Sequence, residues 1–187
     1  MEIYLIRHGE TEGNLDPTKP PILTENGKEQ IKLLANSLKE EKVDLIISSD
    51  LERAQLTAKE IQLQNINKPK FEITNELQEI YRLIVGGAPK EGTRPNRFEE
   101  DSERANNFWN KLISMNLEKV FIVSHGNIMK FFISKALEIE PEKTKNIVLD
   151  PTSISIVEIN NEKIQLKSLN NMNHISNKYD KETIYAD

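Results

Sequence analysis

Two histidines of this 187-residue chain stand in the same local setting. His8 follows the apolar run Glu2-Ile3-Tyr4-Leu5-Ile6 and Arg7, and precedes Gly9-Glu10-Thr11. His125 follows Lys119-Val120-Phe121-Ile122-Val123 and Ser124, and precedes Gly126. Each imidazole therefore falls where a strand should end and a loop begin. Arg7 adds a planar fork of donors suited to a phosphate. A third run, Val43-Asp44-Leu45-Ile46-Ile47, ends at Ser48-Ser49-Asp50 and places Arg53 one turn into a following helix. Taken singly, a strand-end histidine is most often a hydrogen-bonded structural residue, and an arginine on a helix is most often solvated. Three such placements in one chain favour one shared site, because two histidines and two arginines could converge on one dianion.

The elements that would position these groups alternate along the chain. Thr24 is a good N-cap for a helix over 25–41, in which Ile31, Leu34, Ala35 and Leu38 form one apolar face. Ser49 or Asp50 could cap a helix over 51–64 with Ala54, Ala58 and Ile61 inward. A short strand is expected at 71–74, helices over 98–115 and 127–137, and a hairpin from strands 153–159 and 163–169 around Asn160-Asn161-Glu162. Gly86, Gly87, Pro89, Gly92 and Pro95 mark a long loop. The pattern predicts an α/β three-layer sandwich with a mostly parallel central sheet and an antiparallel edge strand. In such sheets ligands bind beyond the carboxyl ends of the strands, where His8, Arg53 and His125 fall.

The length suits one domain, 1–187, with a polar tail over about 170–187 in which His174 should be solvated. The net charge of −5 argues against a nucleic-acid partner. No apolar run nears the ~18 residues of a membrane span, and the start shows no basic region leading into a long apolar stretch. Cysteine is absent, which removes thiolate nucleophiles and cysteine-bound metals and fits a cytoplasmic protein. No metal-ligand spacing links His8, His125 and His174.

These motifs together resemble the histidine phosphatase superfamily, the phosphoglycerate mutase-like family. The resemblance rests on Arg7-His8-Gly9-Glu10-Thr11-Glu12-Gly13-Asn14, Leu23-Thr24-Glu25-Asn26-Gly27, Ser48 through Ala58 and Val123-Ser124-His125-Gly126, which occur in the family's order. It implies a metal-independent phosphatase without a cofactor, acting on a phosphorylated small molecule (or a phosphoprotein). His8 would be the nucleophile, its tautomer set by the Gly9 carbonyl. Arg7, Arg53 and His125 would hold phosphoryl oxygens, with Asn14 and the Gly126 N–H as further donors. The family's general acid maps to Glu79 in Leu77-Gln78-Glu79, with Glu76 as the competing carboxylate. After Glu79 the chain departs from the family's usual phenylalanine-glycine and tryptophan-glutamate-glycine stretch. That stretch borders the substrate, so the substrate does not carry over. Arg82, Lys90, Arg94 and Arg97 lie in this region and could meet a second acidic group. The resemblance leaves open a phosphoglycerate mutase or a non-catalytic phosphate-binding module. It assigns no oligomeric state.

Overall fold

The apolar runs become strands β1 (Glu2–Arg7), β2 (Leu45–Ser49), β3 (Lys70–Thr74), β4 (Lys119–Ser124), β5 (Ile154–Asn160) and β6 (Lys163–Asn171). The amphipathic segments become helices α1 (Glu25–Ser37), α2 (Glu52–Gln64), α3 (Phe98–Ile113) and α4 (Gly126–Leu137). These elements come from a computed structural model, which describes residues 1–12, 20–80, 97–160 and 163–175. The strands form one sheet in the order β3-β2-β4-β1-β5-β6. β3, β2, β4 and β1 are mutually parallel, β5 is antiparallel to β1, and β6 is antiparallel to β5. This is the expected parallel sheet with a hairpin at its edge.

Side chains alternate across a strand, and both faces of this sheet are covered. Ile3, Leu5, Leu45, Ile47, Val120 and Ile122 pack on one side with Phe108, Trp109 and Leu112 of α3 and Met129, Phe132 and Ile133 of α4. Tyr4, Ile6, Ile46, Phe121 and Val123 pack on the other with Leu34 and Ala35 of α1 and Ala54, Ala58 and Ile61 of α2. A strand buried on both faces reads as a continuous apolar run, which is why these strands were legible in the sequence.

Boundaries shift where side chains compete for backbone groups. α1 stops at Ser37 rather than near Glu41. The Asn65 side chain takes the carbonyls of Leu38 and Glu41, each at 2.9 Å, and binds that segment to the loop after α2. The carboxyl-terminal end is the larger correction. β6 runs to Asn171, and residues 173–175 form a helical turn with Ile175 buried. His174 is half-buried, its Nε2 3.0 Å from Thr152 Oγ1, rather than solvated. An apolar Ile175 among polar neighbours is the anchor that a composition-based reading of the tail passed over.

The loop carrying His8 is joined to α1 by close approach. Thr24 caps the helix, accepting from Gly27 N at 2.8 Å. Glu10 receives Thr24 Oγ1 at 2.7 Å and Asn26 Nδ2 at 2.9 Å. A Cβ on Gly27 would lie 2.2 Å from the Glu10 carbonyl oxygen, and one on Gly9 would lie 2.8 Å from the Ile31 side chain and 2.9 Å from the Gly27 carbonyl. Because the obstacle at Gly27 is backbone, the loop itself must move. Gly27→Ala should therefore lower unfolding free energy by at least about 2 kcal/mol, as overpacking does, measured by urea denaturation. An unchanged midpoint would contradict this packing.

Candidate active site

Strand register brings the chemistry to one level. Arg7 at the end of β1 lies opposite Ser124 of β4, and Ser48 of β2 lies opposite Val123. His8 and His125 each stand one residue beyond the paired region. Their ring centroids are 5.1 Å apart with an interplanar angle of 61°. Both are buried, His8 to 6% exposure and His125 to 0%.

The two neighbours of His8 determine its protonation. Nδ1 is 2.7 Å from the Gly9 carbonyl, and Arg53 Nε donates to Nε2 at 3.1 Å. A carbonyl only accepts and a guanidinium only donates. Nδ1 therefore carries the proton, and Nε2 presents its lone pair. Burial lowers the His8 pKa to about 3, with Arg53 and Arg7 adding to the shift and the Gly9 bond opposing it. The ring is neutral at any ordinary pH, as a nitrogen nucleophile must be.

Arg7 comes from the end of β1 and Arg53 from the first turn of α2. Arg7 Nη1 donates to the Leu149 carbonyl, while its Nε is buried with no partner among the described residues. Burial lowers the pKa of both guanidiniums, opposed by Glu79 in each case and by Asp150 for Arg7. Their ordinary pKa is so high that both stay charged. His125 Nε2 meets Ser49 Oγ at 2.9 Å, and its Nδ1 is buried without a partner among the described residues. Burial, then Arg53, His8 and Arg7, hold its pKa well below the usual histidine range. Ser49 serves this contact as well as the turn into α2, where its Oγ accepts from Leu51 N at 3.3 Å. The expected side-chain cap at Ser49 or Asp50 is thus largely diverted, and α2 begins with no such bond at its N-cap position.

Glu79 occupies the amino end of α4. Its Oε1 accepts from the N–H groups of Asn127 and Ile128, both at 3.0 Å, and from its own neighbour Ile80 at 3.0 Å. Burial raises its pKa, opposed by these bonds and by Arg53. Glu76 faces elsewhere, with its carboxylate 3.2 Å from Lys111 Nζ. Of the two carboxylates, Glu79 is the one set among the charges of the histidine pocket. Gly126 opens α4 against Arg7: a Cβ there would lie 3.8 Å from Arg7 Nε. The first-turn N–H groups of Asn127 and Ile128 are engaged by Glu79, so the acceptor at this helix end is the protein's own carboxyl. Asn14, Arg82, Lys90 and Arg94 lie outside the described residues. Arg97 is an exposed residue paired with Glu100 at 3.0 Å, a surface pair of small energy. Among the described residues no three His, Asp or Glu side chains are gathered to hold a metal ion.

Some supports were not read from the sequence. Thr57 Oγ1 accepts from Gly9 N at 3.2 Å and donates to the Arg53 carbonyl at 2.8 Å, linking the two motifs. Thr152 N donates to the carbonyls of Arg7 and His8 at 3.1 and 3.2 Å, from a backbone with φ of 63°. Asp150-Pro151 was the available signal, since Asp-Pro initiates turns.

The three histidines yield a pH dependence. In the unfolded chain each takes a proton below about pH 6.5. In the fold His8 stays neutral down to about 3 and His174, desolvated by burial, down to about 4. Between those limits unfolding takes up protons, so stability falls as pH falls. His8→Ala should flatten the curve of stability against pH by about 1.4 kcal/mol per pH unit across that window, followed by urea melts from pH 7 to 4. A slope identical to wild type would show that His8 already titrates in the fold.

Comparison with known proteins places this geometry. The sequence matches the profile of the histidine phosphatase superfamily (branch 1) over residues 3–92 and 86–172. It is 28% identical to the adenosylcobalamin/alpha-ribazole phosphatase of Escherichia coli (strain K12), over 91% of this chain and 96% of that protein. The alpha-ribazole phosphatase of Shigella flexneri superposes with a TM-score of 0.77 at 26% identity, covering 92% of this chain and 97% of that one. An Entamoeba histolytica phosphoserine phosphatase mutant in complex with phosphoserine superposes with a TM-score of 0.73 at 25% identity, covering 93% and 98%. The ordered motifs, the sheet and the match over most of the chain agree: this protein belongs to the histidine phosphatase superfamily.

Proposed function

We propose that this phosphoric monoester hydrolase works through a phosphohistidine formed on His8, and that its substrate is a small phosphorylated metabolite. The observation that carries the reading is the neutral His8 ring, with Nδ1–H on the Gly9 carbonyl and the Nε2 lone pair beside two guanidiniums. A phosphoryl group arriving at Nε2 takes the Arg53 N–H onto its own oxygens. Arg7, with an unpartnered buried Nε, and His125, with an unpartnered Nδ1, supply further donors. These charges stabilise the equatorial oxygens of a loose transition state without a metal in the mechanism.

Nε2 forms a bond to phosphorus as the ester P–O bond breaks, and the Glu79 carboxyl gives its proton to the leaving oxygen. Water then attacks the phosphohistidine, Glu79 takes up the water's proton, the N–P bond breaks, and inorganic phosphate leaves. A carboxyl with a raised pKa suits the first step. The named relatives are phosphatases of α-ribazole and phosphoserine compounds, which supports a small-molecule substrate.

A screen of phosphorylated metabolites with rapid acid-free quenching tests this. Wild type should release phosphate and trap an acid-labile phosphoenzyme, and His8→Ala should do neither. Persistence of wild-type activity in His8→Ala would overturn the assignment. 3-Phosphoglycerate giving 2-phosphoglycerate faster than free phosphate would make the protein a mutase.

Glu79 must be protonated to act as the acid, so kcat/KM should fall on the alkaline side as pH rises through its raised pKa. Glu79→Gln should lose that limb and lower kcat for alkyl phosphates by about 10²–10⁴-fold. A pH profile unchanged by this substitution would remove Glu79 from the chemistry.

A further inference from the structure

Arg104, on α3, makes no hydrogen bond to either imidazole, though its charge is among those that hold the His125 pKa down, and it grips the segment that carries Glu79. Its Nη1 donates to the carbonyls of Glu76 at 2.7 Å and Gln78 at 2.9 Å, with a longer approach to Asn75 at 3.4 Å. Its Nη2 bonds Asp101 Oδ1 at 3.0 Å and approaches the Glu79 carbonyl at 3.5 Å. The side chain is 23% exposed.

The segment needs such a partner. Between the 3₁₀ turn at Asn75–Leu77 and Ile80 the backbone belongs to no helix or strand. Leu77 and Ile80 are nevertheless fully buried. Carbonyls buried beside them must find donors, and here the donors are side chains. Ser124 Oγ donates to Leu77 O at 2.6 Å and Asn127 Nδ2 to Ile80 O at 3.0 Å. Arg104 supplies the donors for Glu76 and Gln78, on either side of Leu77. Gln78 is held from the other side, its Nε2 donating to Asp50 Oδ2 at 2.8 Å. Side chains from β4, α4, α3 and the β2–α2 turn thus fasten one short irregular stretch. No rigid element of its own orients Glu79.

We infer that Arg104 is a positioning residue for the general acid: it fixes the backbone from which the Glu79 carboxyl reaches toward the leaving oxygen. The inference rests on the reading of Glu79 as that acid. Proton transfer requires hydrogen-bond reach and alignment, and small misplacements of a reacting group are costly. A planar guanidinium spans two carbonyls at once, a task to which one ammonium is poorly matched.

The test uses leaving groups that differ in their need for a proton. An alkyl phosphate such as glycerol phosphate needs one, while 2,4-dinitrophenyl phosphate does not. Arg104→Met should lower kcat/KM for glycerol phosphate, which reports only the steps through phosphohistidine formation, by at least about tenfold and change kcat/KM for dinitrophenyl phosphate less than about threefold, with phosphoenzyme still trapped. Arg104→Lys should show a smaller loss of the same selectivity, and carries the comparison if the methionine variant does not fold. Equal losses on both esters would mean that Arg104 only stabilises the fold, and no loss on either would mean that the segment holds itself; each result overturns the inference. A wild-type enzyme that hydrolyses neither ester and forms no phosphoenzyme fails at the phosphatase reading instead. A Glu79→Gln variant without leaving-group selectivity removes the premise that Glu79 is the acid.

Discussion

One imidazole held between a carbonyl and a guanidinium sets the demands that the surrounding structure meets. His8 is useful as a nucleophile only in one neutral tautomer. That tautomer follows from placing an obligate acceptor at Nδ1 and an obligate donor at Nε2. The acceptor is the next residue's carbonyl, so the loop must fold back sharply there. The tight approach of Gly9 to Ile31 and Gly27 shows how little room that leaves. The donor comes from α2, so the distance between β1 and α2 must be maintained. Thr57 maintains it by bonding both Gly9 N and the Arg53 carbonyl.

Two half-buried guanidiniums close to two buried imidazoles are set beside acidic neighbours. Glu79 acts on both arginines and Asp150 on Arg7. The balance is incomplete, since Arg7 Nε and His125 Nδ1 lack partners among the described residues. Unsatisfied buried donors are expensive in a folded protein unless a ligand meets them. Two guanidiniums beside these unmet groups favour an anion as that ligand. The amino end of α4, the obvious place for that anion, is already taken by Glu79 at Asn127 and Ile128. The helix end thus holds the Glu79 carboxyl, and Arg7 Nε and His125 Nδ1 keep their hydrogen-bonding capacity unmet.

Much of this was legible in residue order. β1, β2 and β4 were readable because burial on both faces makes them continuous apolar runs. The strand-end positions of His8, Arg53 and His125 follow from those runs, and the ordered motifs carried the family. What was misread shares one cause. The end of α1 at Ser37 depends on Asn65, and the ordering of His174 depends on Thr152 and the burial of Ile175. The diversion of Ser49 depends on His125. Each is a side-chain bond between residues far apart in the chain, to which local periodicity is blind.

The sequence by itself determined which groups could attack and hold a phosphoryl group, because residue type fixes donor, acceptor and charge, and periodicity fixes which strand end each occupies. Only the tertiary structure decided how they act. The register of β1 with β4 brought His8 and His125 to 5.1 Å. The approach of α2 left the lone pair of His8 on Nε2. The separation of Glu76 from Glu79 was likewise tertiary: a Lys111 on α3 meets one carboxylate at the surface, and the N–H groups of α4 hold the other inside. Protonation state and orientation depend on neighbours brought together by folding, and no single stretch of sequence contains them.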